Sequence, residues 1–477
     1  MRFVPILALA ALTVIPTLES AATIPNDEAS VTHALNRLAF GPAPGQVEKV
    51  REIGLGRWID EQLQPHRLDD RALDQRLARF ETLNLDSATI ARDYFLPARQ
   101  QRRARQQAAA AGDAARRNTM TPMNDVIRQE RRIFTEMSEA KLLRAVYSER
   151  QLEEVLVDFW FNHFNVFARK GQTGIYVGEY EREAIRPHVL GKFRALLGAT
   201  AKSPAMLFYL DNWQSAAPNA RAAAIQPNQP RRGLNENYAR ELLELHTLGV
   251  DGGYTQQDIV NVARAFTGWT IGRPDDAGFR FAPNMHDRDA KTVLSETLKQ
   301  GGGIEDGERV LDLLSRHPST ARHIAFKLAQ RFVSDTPPLA LVERAAKTFR
   351  TSDGDLREVL RTIVTSPEFF DRSARLAKVK TPFEFVVSAL RAAAADVREG
   401  QAVIRSLADM GMPPYLCQPP TGYDDTADAW VSSGALVTRI NFAVSLTRGE
   451  IRGVQLATSS RANAEALRLG GAEFQRQ

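Results

Sequence analysis

The residues with the clearest potential for chemistry lie in two polar segments near the middle of the chain. In the first, 151–167, helical spacing places His163 beside a stripe formed by Asp158, Asn162 and Asn165. Asparagine is unfavourable inside a helix because its amide competes for backbone hydrogen bonds, so the stripe favours a buried or cleft-facing array. We expect the three stripe residues to bind substrate and His163 to carry a proton. A structural network between helices explains the same pattern.

The second segment, 233–249, supplies further titratable groups. Glu241 and Glu244 are the expected general acid and base, and His246 is an alternative proton carrier whose pKa an acidic partner would raise. Glycoside hydrolysis needs two carboxyl groups at about 5 to 5.5 Å for retention, or about 6.5 to 9.5 Å for inversion. Ion pairing along the helix surface is the alternative explanation of these charges. The other residues that we expect to bind substrate are Asn237, Arg240 and Asp211.

The remaining catalytic signatures are missing from the sequence. It has no nucleophile elbow, phosphate-binding loop, His-Glu-x-x-His motif or calcium loop, and Cys417 is its single cysteine. No cofactor is therefore evident. A divalent metal held by His163, His246 and neighbouring carboxylates is an alternative, although no ligand spacing enforces it.

The elements that must position these residues are mostly helices. Apolar residues recur at three- and four-residue spacing along the mature chain, and capping-box patterns begin at Thr255 and Thr381. Strand-like sequence is scarce, and we expect Phe279–Phe281 and Thr292–Leu294 to pair as a hairpin. The sequence thus predicts a mainly α fold, one large multi-helix domain with a small β-hairpin insertion.

The amino terminus has the pattern of a secretory signal peptide. A positive start precedes an apolar run from Val4 to Leu18, and the small residues Ser20–Ala22 follow. The run is shorter than the roughly 20 residues of a membrane span, so removal is favoured over a retained anchor. We expect cleavage of residues 1–22 and a periplasmic or secreted protein that is not an integral membrane protein after cleavage.

Positive charge is concentrated in one stretch. Nine arginines and three acidic residues lie between Arg99 and Arg132, whereas the formal charge of the whole chain is +5. The rest of the chain is therefore close to neutral, and we expect no nucleic-acid binding. We interpret 99–132 as an Arg-rich insertion within a helical domain spanning 23–449, and 450–477 as a weakly ordered tail.

Several segments also carry a family resemblance. They are His33–Pro42, Asp158–Val166, Asn235–Gly249, Phe266–Trp269 and Lys380–Phe385. Together they resemble the bacterial family filed as domain of unknown function 1800 (DUF1800), over about 33–442. The resemblance implies an exported helical protein and supplies no reaction. Because members of that family often accompany a sulfatase-like family, it also implies a sulfatase-like partner protein or a pathway shared with one.

Two functions are consistent with the sequence. The first is a hydrolase or lyase that acts on an extracellular or envelope polymer with carboxylate and histidine chemistry. The alternative is a non-catalytic binding or assembly protein of the cell surface, whose Arg-rich stretch contacts an acidic polymer, lipid or partner. Convergence of Asp158, His163, Asn237 and Glu241 on one open cleft would favour catalysis. Trp160, Trp213 and Trp269 are candidates for stacking on sugar rings, although core packing explains each of them as well.

Overall fold

Helices dominate the part of the chain that the computed structural model describes, which comprises residues 24–111, 121–218, 233–272, 277–456 and 468–477. The structure is 60% helical, which confirms the predicted mainly α fold. The helices of the first third are α1 Glu28–Leu38, α2 Gln46–Ile53, α3 Leu55–Gln62, α4 Arg71–Leu77, α5 Ser87–Ile90, α6 Leu96–Ala111 and α7 Thr121–Tyr147.

The middle of the chain carries the two polar segments. Its helices are α8 Gln151–His163, α9 Thr173–Glu179, α10 Phe193–Lys202, α11 Pro204–Tyr209, α12 Asn237–Glu241 and α13 Gln256–Ala265. The last third contains α14 Ile304–Arg316, α15 Pro318–Phe332, α16 Leu339–Thr351, α17 Leu356–Val364, α18 Pro367–Phe370, α19 Pro382–Ala392, α20 Gln401–Asp409 and α21 Ser433–Thr447. Both predicted capping boxes are present, at Thr255 before α13 and at Thr381 before α19.

Three helices contain π-helical turns. These turns are Ala91–Phe95 between α5 and α6, Tyr180–Ile185 after α9, and Leu242–Thr247 after α12. A π-turn inserts one residue into the helical hydrogen-bond ladder, leaves carbonyl groups in need of other donors, and often occurs at functional sites. In the third turn, Thr247 Oγ1 donates to the carbonyl oxygen of Leu242 at 2.6 Å.

The predicted hairpin pairs differently from the expectation. Phe279–Phe281 (β2) pairs with Trp269–Ile271 (β1), and Lys291–Val293 (β3) pairs with Glu296–Leu298 (β4), each antiparallel. The prediction that the strands near 280 and 293 pair with each other is therefore wrong. The reason is local, because Leu294 and Ser295 both adopt positive φ, 49° and 70°, and form a two-residue turn that closes β3 onto β4.

A third small sheet joins distant parts of the chain, Asp396–Val397 (β5) and Val454–Gln455 (β6). The last residues also add hydrogen bonds, since Lys378 and Gln477 exchange backbone bonds at 3.2 and 2.9 Å. Within the segment 450–477, the described residues thus form backbone hydrogen bonds with β5 and Lys378.

One continuous apolar core links the helices, from Val31 to Leu469. Within the described chain, no helix has both the length and the apolar composition needed to cross a membrane. The proposed signal peptide, 1–22, lies outside the described residues. Of the Arg-rich stretch, the structure describes parts of α6 and α7, which Arg102 and Glu130 join by two hydrogen bonds of 2.5 and 2.9 Å.

Candidate functional site

The asparagines at the end of α8 bind a loop of the same chain. The side chain of Asn162 donates to the carbonyl oxygen of Tyr423 at 2.8 Å and accepts from its N–H at 2.7 Å. The Asn165 amide donates to the carbonyl oxygens of Cys417 and Pro419 at 3.0 and 2.7 Å. A Cβ on Gly422 would lie 2.5 Å from Asn162 Oδ1, so glycine permits this close approach. Both amides therefore fix the 413–425 loop.

Asp158 belongs to a buried network of charges. Its carboxylate lies 2.8 Å from Lys141 Nζ, which is 3.9 Å from Glu181, and Tyr415 donates to Glu181 at 2.8 Å. Burial acts to lower the pKa of Lys141, but the carboxylates of Asp158 and Glu181 outweigh it, so this pKa is raised. The sequence stripe identified Asp158 but not its partners, because these come from α7, a π-turn and the loop after α20.

The cavities beside Asp158 and Asn162 are too small for a substrate. Two cavities lined by both residues have volumes of about 20 and 30 Å³. This is room for one water molecule, since a water needs at least about 10 to 15 Å³, whereas ligand pockets measure about 300 to 1,000 Å³.

Three histidines meet between α8, the third π-turn and α15. The ring centroid of His163 lies 6.2 Å from those of His246 and His323. His163 Nε2 donates to the carbonyl oxygen of His246, and His323 Nε2 to that of Leu245, each at 3.2 Å. Both carbonyls belong to the π-turn, so the two imidazoles supply donors to it.

These imidazoles are poor proton carriers at neutral pH. Burial, with a smaller contribution from His323, lowers the pKa of His246 to about 3, and burial lowers that of His323 to about 4. Burial and its two histidine neighbours hold the pKa of His163 well below its usual value. Among the described residues no acidic side chain pairs with His246, so no carboxylate offsets the effect of burial on its pKa. In the same residues, no group of three His, Cys, Asp or Glu side chains is arranged to hold a metal ion.

Glu241 ends α12, and Glu244 lies in the third π-turn that follows it. Glu244 pairs with Arg240 at 3.3 Å, and Arg240 also donates to Gln256 at 3.1 Å. Glu241 is partly buried; burial raises its pKa and the charge of Glu244 raises it further. Asn237 is exposed.

The four residues whose convergence on one open cleft would favour catalysis therefore occupy different environments. Asp158 lies in the charge network and His163 in the histidine cluster, whereas Asn237 is on the surface and Glu241 is partly buried beside it. The structure brings His163 together with His246 but assembles no open cleft from all four.

Asp211 borders a larger opening. It adopts the left-handed conformation, with φ of 61°, and its carboxylate lies 2.7 Å from Lys170 Nζ. The neighbouring residues Gly171 and Trp213 line a groove of about 630 Å³. The lining of this groove, which we call the aromatic groove, includes Phe95, Arg99, Arg102, Tyr176, Phe208 and Trp213.

The aromatic groove is built on a close contact between a ring and the backbone. Phe208 and Trp213 stack with centroids 5.5 Å apart and an angle of 5° between the rings. A Cβ on Gly171, whose φ is 54°, would lie 2.7 Å from Phe208 Cε1, so glycine lets the ring approach. Trp213 is a stacking candidate from the sequence, but no local pattern indicates that Phe95 and Tyr176 lie beside it, because they come from different helices.

Basic residues stand at one side of the aromatic groove. Arg102 is occupied by Glu130, whereas no carboxylate of the described chain pairs with Arg99, which is exposed. The groove thus combines apolar ring surface with an available guanidinium group.

A family model described as "Protein of unknown function (DUF1800)" matches residues 33–476. The match spans both polar segments and the aromatic groove. No curated protein and no solved structure matches the chain.

Proposed function

Because the chain belongs to the DUF1800 family, whose description assigns no reaction, we propose a function from its own geometry: it binds an acidic glycan chain, from an extracellular or envelope polymer, in the aromatic groove. The observation that carries the proposal is the open groove of about 630 Å³ with Phe208 and Trp213 stacked in its wall. This volume lies within the usual range for ligand sites of about 300 to 1,000 Å³.

The ring surfaces favour a sugar over a small ion. Phe208 is partly exposed and retains surface for a ligand, and the partly exposed Trp213 stacks against it. Flat apolar rings bury the C–H faces of sugar rings, while the sugar hydroxyls stay available for hydrogen bonds. Lys170, which precedes the lining residue Gly171, and its ion-pair partner Asp211 supply one donor and one acceptor at the edge of the groove.

The acidic character of the ligand follows from Arg99. An exposed guanidinium without a carboxylate partner in the described chain is free to bind a carboxylate, and its planar donors match that group in a bidentate manner. A uronic-acid polymer combines the sugar faces and the carboxylates that the groove would recognise.

We propose on sequence grounds alone that the protein is exported to the periplasm or the medium. The apolar run from Val4 to Leu18 and the small residues after it support export and removal of 1–22. The mass of the protein purified from the periplasm or medium tests this, because cleavage after Ala22 predicts a new N-terminus at Thr23.

The binding proposal is tested by calorimetric titration of the purified protein with short oligogalacturonates and with neutral gluco-oligosaccharides of equal length. We expect the acidic series to bind more tightly. Phe208→Ala should weaken both series at least about tenfold, since it removes stacking surface worth about 1.4 kcal/mol or more. Arg99→Gln should weaken only the acidic series.

Matched variants separate binding from folding. Phe326→Ala removes a partly buried ring of α15, and Arg309→Gln removes an exposed arginine of α14 that has no ion pair within the described chain. Both should bind like the unaltered protein. Equal affinities for all the variants, or no binding of either series, would refute the proposal.

The partly buried carboxyl of Glu241 supports a second function, in which the protein cleaves the same class of polymer as a hydrolase or a lyase. Burial and the charge of Glu244 raise the pKa of Glu241, so this carboxyl is suited to hold a proton for a leaving oxygen, and Glu244 lies beside it, paired with Arg240. Release of new chain ends from envelope polysaccharides would reveal this activity. Glu241→Gln should abolish it, whereas Glu236→Gln on the same surface should not; the absence of chain ends with all substrates would leave binding as the function.

A further inference from the structure

A strongly charged groove separate from the aromatic groove lies between α7, α20 and the segment before β6. Its volume is about 530 Å³, and the two grooves share no lining residue. The charged residues that line this basic groove are Arg79, Arg132, Arg398, Arg405 and Arg452, with Glu136, Glu139 and Glu399. We propose that the basic groove binds a ligand carrying phosphate or sulfate ester groups, which is a site beyond the proposed glycan function.

Backbone pairing between two segments of the chain fixes the positions of the residues that line the groove. The β5–β6 pair joins Val397 to Val454, and the N–H groups of Arg398 and Glu399 both donate to the carbonyl oxygen of Gly453, at 2.8 and 3.1 Å. Gly453 has φ of 80°, and a Cβ there would lie 2.5 Å from Glu399 Cβ. This glycine turn places Arg452 beside Glu399 at the groove.

The carboxylates of the groove are largely occupied within the protein. Glu136 accepts from the N–H and hydroxyl of Thr82 at 2.9 and 2.8 Å, and from Arg132 at 2.5 Å. Glu139 is buried, and burial raises its pKa. Arg132 is therefore paired with Glu136, whereas Glu139 lies 3.8 Å from Arg79.

Several arginines remain available. Arg79 donates to the carbonyl oxygen of Arg398 and lies 3.8 Å from Glu139, and Arg452 lies 3.8 Å from Glu399. Both 3.8 Å distances are too long for hydrogen bonds. Arg405 is exposed and has no ion pair in the described part of the chain. Three guanidinium groups around one opening therefore keep most of their donors for a ligand.

The chemistry of the lining selects the ligand class. Guanidinium forks bind the oxygens of tetrahedral oxyanions by paired, charge-assisted hydrogen bonds. The only aromatic ring at the groove among the described lining residues is Phe80, which is buried and covered by Arg79 at 4.8 Å from its centroid. A sugar face thus finds no stacking surface here, whereas a ligand with two or more phosphate or sulfate groups finds several positive partners.

The test is calorimetric titration of the full chain with inorganic pyrophosphate at low and high salt. We expect binding that weakens with salt, because surface charges are screened. The double variant Arg405→Gln/Arg452→Gln should bind at least about tenfold more weakly, equivalent to about 1.4 kcal/mol. Arg309→Gln, the matched control on α14, should bind like the unaltered protein.

A second variant makes the result independent of folding losses. Glu399→Gln removes the carboxylate nearest Arg452 and should tighten pyrophosphate binding severalfold, which a damaged protein would not do. Competition with polyphosphate and with dextran sulfate then identifies the anionic group of the ligand. Displacement of pyrophosphate by only one polymer indicates that the groove prefers the phosphate or the sulfate group of that polymer. Displacement by both polymers indicates that the groove recognises the tetrahedral oxyanion common to phosphate and sulfate. No pyrophosphate binding, or an equal loss in the Arg309→Gln control, would overturn the proposal.

Both double-variant arginines lie outside the aromatic groove, so the two proposals fail separately. Arg405→Gln/Arg452→Gln should leave oligogalacturonate binding unchanged, and Phe208→Ala should leave pyrophosphate binding unchanged.

Discussion

The polar end of α8 and the aromatic groove differ in how fully their side chains are used. Around Asp158, Asn162 and Asn165, polar atoms are paired with the protein itself, and the cavities hold about 20 to 30 Å³. The aromatic groove offers about 630 Å³ with partly exposed rings and an exposed Arg99. A polar motif in a sequence therefore identifies groups that need hydrogen-bond partners, and it does not show that these groups are free to bind a ligand.

The largest expected effect lies in the charge network, where a single substitution isolates buried carboxylates. Lys141→Met leaves Asp158 and Glu181 without their shared cation, so we expect a loss of about 3 to 5 kcal/mol in the free energy of unfolding. Chemical denaturation measures it. Arg57→Met, which breaks the exposed pair with Glu61, should cost less than about 1 kcal/mol. Similar losses in both variants would contradict a structural role for the network.

The histidine cluster predicts a dependence of stability on pH. The pKa of His246 is about 3 in the folded protein and 6.5 in its ordinary state, so between these values the unfolded chain binds more protons. Stability should therefore rise with pH from about 3 to about 6.5 and then level off, by up to about 1.4 kcal/mol per pH unit for each such histidine. His246→Phe should flatten this slope in denaturation measured at several pH values, and an unchanged slope would argue against the buried neutral imidazole.

The asparagines give a smaller effect. Asn165→Ala leaves the carbonyl oxygens of Cys417 and Pro419 without their donor, so we expect a loss of about 1 to 3 kcal/mol in unfolding free energy. Exposed Asn237 is the matched control, and its alanine variant should change stability by less than about 0.5 kcal/mol. If Asn165→Ala instead abolished glycan binding without loss of stability, the contrast between the two regions would fail.

The smallest expected effect on stability lies in the aromatic groove. Arg99→Gln should alter the unfolding free energy by less than about 0.5 kcal/mol, because Arg99 is exposed and forms no ion pair within the described chain. The same variant should weaken binding of oligogalacturonates. Thermal unfolding and titration of one preparation measure both, and a large loss of stability would place Arg99 among the structural residues.

Much of the architecture could be predicted from local sequence. The helical periodicity and the capping boxes at Thr255 and Thr381 were confirmed because they depend on residues within a few positions of one another. The strand pairing was not predicted correctly, since the turn at Leu294 and Ser295 lacks the Asn-Gly or Asp-Gly sequence that marks such turns.

The candidate sites depended far more on tertiary contacts. Sequence periodicity placed Asn162 and Asn165 on one face, but the loop that occupies them follows more than 250 residues later. No sequence pattern indicated that His323 belongs with His163 and His246. Its ring lies near theirs only because α15 packs against the third π-turn. The basic groove was equally hidden, since Arg79, Arg405 and Arg452 come from separate segments.

The sequence by itself determined the helical class, the family resemblance and the positions of the polar segments, because periodicity and capping act between near neighbours. Only the tertiary structure decided which polar groups are paired and which face an opening. Burial, pKa and cavity volume depend on what other segments place beside a side chain, and no local pattern contains that information. For this reason the asparagines at the end of α8 became part of the interior, whereas both grooves are assembled from segments that are distant in sequence.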